Sequence, residues 1–120
     1  MSCLSSKLKA FMEATVSRYM AEMWNGKVAG GFTVSGASAG DKFNTLASLT
    51  TFAMQHGMIW VGLGAKPFNK DRDINLSGHY CGATGCAGPN DNPADALTQS
   101  ELKAGEFLGK RVALYTTKIA

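Results

Sequence analysis

Hydrophobic positions change period several times along the chain, and each change predicts an element. Leu4, Leu8, Phe11, Met12, Thr15 and Tyr19 recur at three- and four-residue intervals behind a capping Ser5 or Ser6. That spacing predicts an amphipathic helix over residues 5–23, closed by Asn25-Gly26. From Lys27 the pattern becomes a near-continuous apolar run, Val28 to Val34, which predicts a strand buried on both faces, as a parallel sheet requires. Leu46, Leu49, Phe52 and Ala53 then share one side of a second helix that starts near Phe43 or Asn44, with Gly57 placed as its left-handed terminator. Met58 to Leu63 predicts a second strand. Near the end, Thr98 followed three residues later by Glu101 is a capping-box pattern that opens a last helix, with Leu102, Leu108, Val112 and Ile119 directed inward. Between these elements Gly64 to Leu97 shows little apolar pattern and many Gly, Asn, Asp and Pro residues. A connection of that length is expected to be a folded-over functional loop.

The order strand, small-residue loop, helix, strand between Lys27 and Leu63 is a βαβ unit, so the fold class is α/β with a parallel sheet. In such sheets ligands sit where the chain leaves the carboxyl end of a strand and enters a helix. Here that place is Ser35-Gly36-Ala37-Ser38-Ala39-Gly40 with Asp41 and Lys42 after it, the expected seat of any chemistry.

At 120 residues the chain is expected to form one domain with a real core. The net charge of +3 comes from scattered Lys and Arg, with no run dense enough to follow a phosphate backbone, so nucleic acid is not an expected partner. No stretch approaches the roughly 18 consecutive apolar residues of a membrane span, and the first ten residues lack a signal-peptide core. The expected location is cytoplasmic, with no membrane partner. Three cysteines, an odd number, fit reduced thiols.

Several smaller motifs offer chemistry that the residues support only weakly. His79, Cys81 and Cys86 lack a fourth ligand and the usual pair spacing for zinc, so no metal site is predicted. His56 is either a general base or a side chain interacting with the last helical carbonyls. Cys81 has no activating partner in the sequence, and Ser35-Gly36 is not part of a nucleophile elbow. Trp60 reads as core.

A wider set of residues carries a resemblance. Ser5-Ser6-Lys7-Leu8-Lys9-Ala10-Phe11-Met12, Gly26-Lys27, Phe32-Thr33-Val34-Ser35-Gly36, Gly40, Thr45-Leu46-Ala47-Ser48, His56-Gly57-Met58-Ile59-Trp60-Val61-Gly62, Cys81-Gly82-Ala83-Thr84 and Gly109-Lys110-Arg111-Val112-Ala113 run in this order over nearly the whole chain. Together they resemble the WrbA-like, flavodoxin-fold NAD(P)H:quinone oxidoreductases. The resemblance implies a three-layer α/β/α architecture and an FMN enzyme that carries two electrons from NAD(P)H to a quinone. It implies that Thr33, Val34, Ser35, Gly36, Ala37, Ser38, Ala39 and Gly40 line the flavin ring. Small residues there let main-chain amides reach the carbonyl edge of a planar heterocycle. Tyr19 falls where the family has an aromatic residue stacking near nicotinamide or quinone, and is the implied substrate-binding residue. His56 and Gln55 are the implied catalytic pair, with Gln55 standing where the family carries the first of two histidines.

The chain also departs from the family. Asp41-Lys42-Phe43 replaces the more usual Gly, Gln and Glu. Relative to the family order 2-1-3-4-5, the match begins after the third strand, so residues 1–120 are expected to be a partial, truncated flavodoxin-like domain without the phosphate loop. FMN binding by the isolated chain is then expected to be weak or absent, and the open strand edge predicts a homo-oligomer or a complementing chain. The alternative is a non-catalytic flavodoxin-like module acting in assembly with a partner chain.

Overall fold

The computed structural model describes residues 2–68 and 73–119. Helix α1 covers Ser6–Ala14, and Ser5 caps it by accepting from the Leu8 N–H at 3.2 Å. The single helix expected over residues 5–23 is instead broken: a five-residue α2, Val16–Met20, follows, and Glu22 turns the chain at a positive φ of 51°. The break falls at Thr15, whose buried hydroxyl donates to the Met12 carbonyl at 2.6 Å and lies 3.0 Å from His56 Nε2.

Lys27 then starts the central strand, which forms as β1 (Val28–Ala29) and β2 (Phe32–Ser35) around Gly30-Gly31. After α3 (Lys42–Gln55) come β3 (Ile59–Trp60), β4 (Ala83–Cys86) and α4 (Gln99–Ile119). β3 pairs with β1 and β4 with β2, both parallel, in the registers Val28↔Ile59 and Phe32↔Ala83. The carbonyls of Lys27, Ala29, Gly31 and Ser35 accept in turn from the N–H groups of Ile59, Val61, Ala83 and Ala87 at 2.8–3.2 Å. β3 and β4 are thus two halves of one row along one edge, and the chain leaves that row after Val61 and rejoins it at Ala83.

The segment Gly64 to Leu97, expected to be one folded-over loop, also contains a strand, β4. The residues of β4, Ala83-Thr84-Gly85-Cys86, are too small and too few to show a strand pattern, yet the first three are buried. Small size is what the row demands. A Cβ on Gly82 would strike the Gly31 carbonyl and stand 2.8 Å from Leu46 Cδ2.

Neighbouring residues on a strand point to opposite faces, and the two central glycines show what covers each. A Cβ on Gly30 would meet Val112 and Leu108 of α4, whereas one on Gly31 would meet Trp60 and Leu49 beneath α3. The helices therefore lie on opposite sides of the strands, giving the expected α/β/α layering. Leu63, Ala65, Ala83, Ala104 and Leu108 form the core on the α4 side. Leu102, expected inward, is half exposed because it lies off the Ala104-Leu108-Val112 stripe that α4 buries; Ile119 shares that face but is half exposed at the end of the helix, past the packed core.

The central strand is not buried on both faces, contrary to its apolar run. Phe32 is 74% and Val34 46% exposed. α4 crosses over β4 and β1, leaving this end of β2 uncovered, and among the described residues no strand pairs with the other edge of β1 and β2. At the C-terminal end of α3, Gly57 takes the expected left-handed conformation, φ 70°. Among the described residues no helix is long and apolar enough to cross a membrane.

Leu46 is fully buried where α3 meets the rejoining point at Gly82. Leu46→Ala should lower the unfolding free energy by about 2–5 kcal/mol. Urea denaturation followed by circular dichroism checks this, and a loss near zero would mean that the row is not held from the α3 side.

Candidate functional site

The run from Thr33 to Gly40 stands where the βαβ pattern puts it. Thr33, Val34 and Ser35 end β2, and Gly36 to Asp41 turn the chain at the C-terminal rim of β2 and β4 before α3 begins. Gly36, Ala37, Ser38 and Ala39 are exposed, and Gly40 and Asp41 complete the turn with φ near 48°. Asp41 gives α3 no side-chain cap.

Behind this loop lies the most buried cation of the described chain. Lys42, at the first position of α3, is 2% exposed. Its Nζ donates to the carbonyls of Ala37 at 2.5 Å and Ser38 at 2.9 Å, and to Cys86 Sγ at 3.4 Å. Ser35 Oγ donates to the same Ala37 carbonyl at 3.1 Å. The loop is therefore tied from inside by side chains of β2, β4 and α3.

A cavity of about 710 Å³ opens beside it, bordered by Lys42, Cys86, Thr84, His79, Asn75 and Glu101. Glu101 forms the expected capping box, accepting from the Thr98 N–H at 2.8 Å and the Thr98 hydroxyl at 2.9 Å while its own N–H donates to Thr98 Oγ1. Its other oxygen accepts from the Cys86 N–H at 2.8 Å, joining α4 to the end of β4. Burial alone would raise the Glu101 carboxyl. The bonds from Thr98 and Cys86, helped by the Lys42 charge, outweigh it and hold the carboxyl below its ordinary value. Burial, with the Lys42 charge adding to it, pushes the His79 imidazole down. His79 Nδ1 lies 3.3 Å from Thr84 Oγ1, which in turn meets Ser77 Oγ at 2.8 Å.

Tyr19, Gln55 and His56 are also brought together, but elsewhere. They line a groove of about 740 Å³ between α1 and α2 on one side and α3 on the other, at the opposite end of α3 from the loop. Fourteen helical residues separate the two places by about 20 Å. No single site containing both sets forms within this chain, because α3 begins at one and ends at the other.

His56 does not meet the last helical carbonyls through its ring. The imidazole is 6% exposed and boxed by Trp24, Phe52 and Tyr19, with ring centroids 4.6, 4.8 and 5.8 Å away. The Thr15 hydroxyl proton goes to Met12, so at 3.0 Å from His56 Nε2 its oxygen must accept, and the imidazole carries its proton on Nε2. Nδ1 is buried and has no hydrogen-bond partner among the described residues.

Residue patterning did not single out Lys42, Cys86 and Glu101 as one cluster. One signal was present: a lysine at the first turn of a helix opposes the helix dipole and calls for a reason. Among the described residues no group of three His, Cys, Asp or Glu side chains could hold a metal ion. The three cysteines are free thiols.

Parallel strands between helical layers, with a small-residue turn at the carboxyl rim, define a flavodoxin-like α/β fold. The crystal structure of the flavodoxin, WrbA-like protein from Agrobacterium tumefaciens matches it with a TM-score of 0.76 at 27% identity, over 100% of this chain and 62% of that one. The sequence is 38% identical over 111 residues to flavodoxin FldP of Pseudomonas aeruginosa, covering 89% of this chain and 60% of that protein. It is 31% identical over 116 residues to an NAD(P)H dehydrogenase (quinone) of Archaeoglobus fulgidus, covering 97% of this chain and 54% of that protein. No family model matches the chain. The chain is a homologue of the NAD(P)H dehydrogenase (quinone) proteins with a flavodoxin-like fold, and it spans a little over half the length of these relatives.

The depressed Glu101 carboxyl fixes the sign of one pH effect. A carboxyl that titrates lower folded than unfolded adds stability that is complete above its ordinary value of 4.5 and lost as pH falls through the folded value. Glu101→Gln keeps an acceptor but not the charge, so urea-unfolding free energies from about pH 6 down to 3 should fall less steeply in the variant. Equal slopes would show that these bonds do not hold the carboxyl.

Proposed function

We propose that the chain supplies the flavin-ring and substrate half of an FMN-dependent NAD(P)H:quinone oxidoreductase, working in the cytoplasm. The observation that carries this reading is the loop at the carboxyl rim. Its exposed Gly36, Ala37, Ser38 and Ala39 put no large side chain between main-chain donors and a planar ring. Bound FMN would supply two-electron chemistry between NAD(P)H and a quinone. Thr33 to Gly40 orient the ring and donate to its edge. The names and fold of the relatives support the flavin and the quinone.

On this reading Tyr19 binds the substrate, and His56 and Gln55, which line the same groove, are the catalytic pair. Because α3 holds them some 20 Å from the loop, they reach a ring only on another chain. Active material is thus a homo-oligomer or a complex with a complementing chain. Anchoring through ring contacts is weaker than through a phosphate cradle, so the chain should purify colourless.

A second reading is favoured by the uncovered end of β2. Phe32 and Val34 stand exposed beside an edge that no described strand pairs, as in a module whose role is assembly without catalysis.

Mixing the purified chain with FMN and either nicotinamide, then adding benzoquinone, separates the two. The oxidoreductase reading expects quenched flavin fluorescence and quinone-dependent oxidation of NADH or NADPH by a species larger than one chain in size exclusion with light scattering. Oligomers that neither quench FMN nor oxidise the nicotinamide would support the assembly reading and end the first.

A further inference from the structure

We propose that Lys42 is the positioning residue of the ring-side loop, its buried ammonium holding the Ala37 and Ser38 carbonyls inward so that the Ser38 and Ala39 N–H groups face outward as paired donors. The ligand class they select is a planar heterocycle with an electron-rich, carbonyl-bearing edge. This inference rests on the flavin-ring reading given above and names the residue that arms it.

All three Nζ donors are used, on Ala37 O, Ser38 O and Cys86 Sγ. Nothing in this set carries a full negative charge, and among the described residues no carboxylate lies within ion-pair distance of Nζ. A buried cation that touches only neutral acceptors, with the Glu101 carboxylate acting on it from beyond ion-pair distance, keeps much of its desolvation cost. Its place in the first turn of α3 adds an unfavourable interaction with the helix dipole. Two costs at one position point to a task other than stability.

Peptide geometry identifies that task. No cis peptide occurs among the described residues, and in a trans peptide the C=O of one residue and the N–H of the next point in opposite directions. Drawing the Ala37 carbonyl toward Nζ turns the Ser38 N–H away from it, and drawing in the Ser38 carbonyl does the same for Ala39. Neither N–H has a hydrogen-bond partner among the described residues, and both residues are exposed. Ser35 Oγ and Cys86 Sγ, at 3.1 and 3.5 Å, hold the same Ala37 carbonyl, so the orientation is set from three sides. The outward donors are backed by a fixed positive charge. Such an arrangement favours a ring that gains negative charge on reduction over the same ring oxidised.

Lumiflavin, which has the ring and no phosphate, is the probe. Titrated into the full chain and read by fluorescence quenching, it should bind the wild type, and Lys42→Met should weaken it at least tenfold and make the midpoint potential of the bound ring more negative. Ser35→Ala, which removes a second donor to the same carbonyl without touching the core, should shift both in the same direction by less. In the ligand-free chain the Ser38 and Ala39 amide resonances should move in Lys42→Met while those of α4 stay in place. If lumiflavin binds both proteins equally at equal potential, or if the two amides do not move, the role of Lys42 is overturned while the flavin reading stands. If lumiflavin does not bind the wild type at all, the flavin reading falls and takes this one with it. Should Lys42→Met fail to fold, Ser35→Ala decides by the same criteria.

Discussion

One row of main-chain hydrogen bonds holds the molecule in register. The strand from Lys27 to Ser35 offers its alternate carbonyls to two segments far apart in sequence, first Ile59 to Val61 and then Ala83 to Ala87. Because both segments use the same edge, the residues between them loop out without disturbing the sheet. The rejoining segment carries Thr84 and Cys86 to the rim beside the Ser35-Gly40 turn. The cavity, the capped start of α4 and the thiol near Lys42 all sit where they do because the row resumes at Ala83. Close backbone approach is the condition for that. Gly30, Gly31 and Gly82 have no room for a Cβ, and the atoms that would block one belong to α4, to Trp60 and to the strand itself. A methyl at Gly82 would press on the very carbonyl that receives Ala83.

Much of this was legible in the sequence, for identifiable reasons. Helices α3 and α4 announced themselves by periodic apolar residues and by local end signals. Gly57 and the Thr98–Glu101 pair act within a few residues of themselves, so no tertiary knowledge was needed. The rim loop was legible for the same kind of reason, since a strand, a small-residue turn and a helix lie consecutively. Strand β4 was hidden because its fitness comes from what it packs against. Ala, Thr, Gly and Cys have no strand pattern of their own, and only the carbonyls of a strand fifty residues earlier make them one. The break at Thr15 was hidden too, because what sets this threonine apart is its contact with His56, far along the chain.

The candidate residues divide in the same way. Thr33 to Gly40 form a contiguous unit, and sequence order alone keeps them together. Tyr19, Gln55 and His56 meet because α2 lies against the C-terminal end of α3. What sequence order could not convey is direction. A helix that starts at one site ends at the other, so the two sets of residues face opposite ends of the sheet in this chain. Any chemistry requiring both sets requires a second polypeptide, and the uncovered Phe32 and Val34 supply apolar surface of the kind that associating chains bury.

Two helix starts face the rim cavity, and they are charged in opposite senses. At α4 the acidic Glu101 agrees with the helix dipole, satisfies the end of its own helix and ties down Cys86, so local stability accounts for it in full. At α3 the basic Lys42 opposes the dipole, is more deeply buried and has no anion in contact. An apolar side chain of equal length would fill the same space at lower electrostatic cost. What it would not do is hold two successive carbonyls inward. The orientation of the peptides from Ala37 to Ala39 thus accounts for a charge that packing and stability leave unexplained, and it makes the loop a surface of donors rather than acceptors.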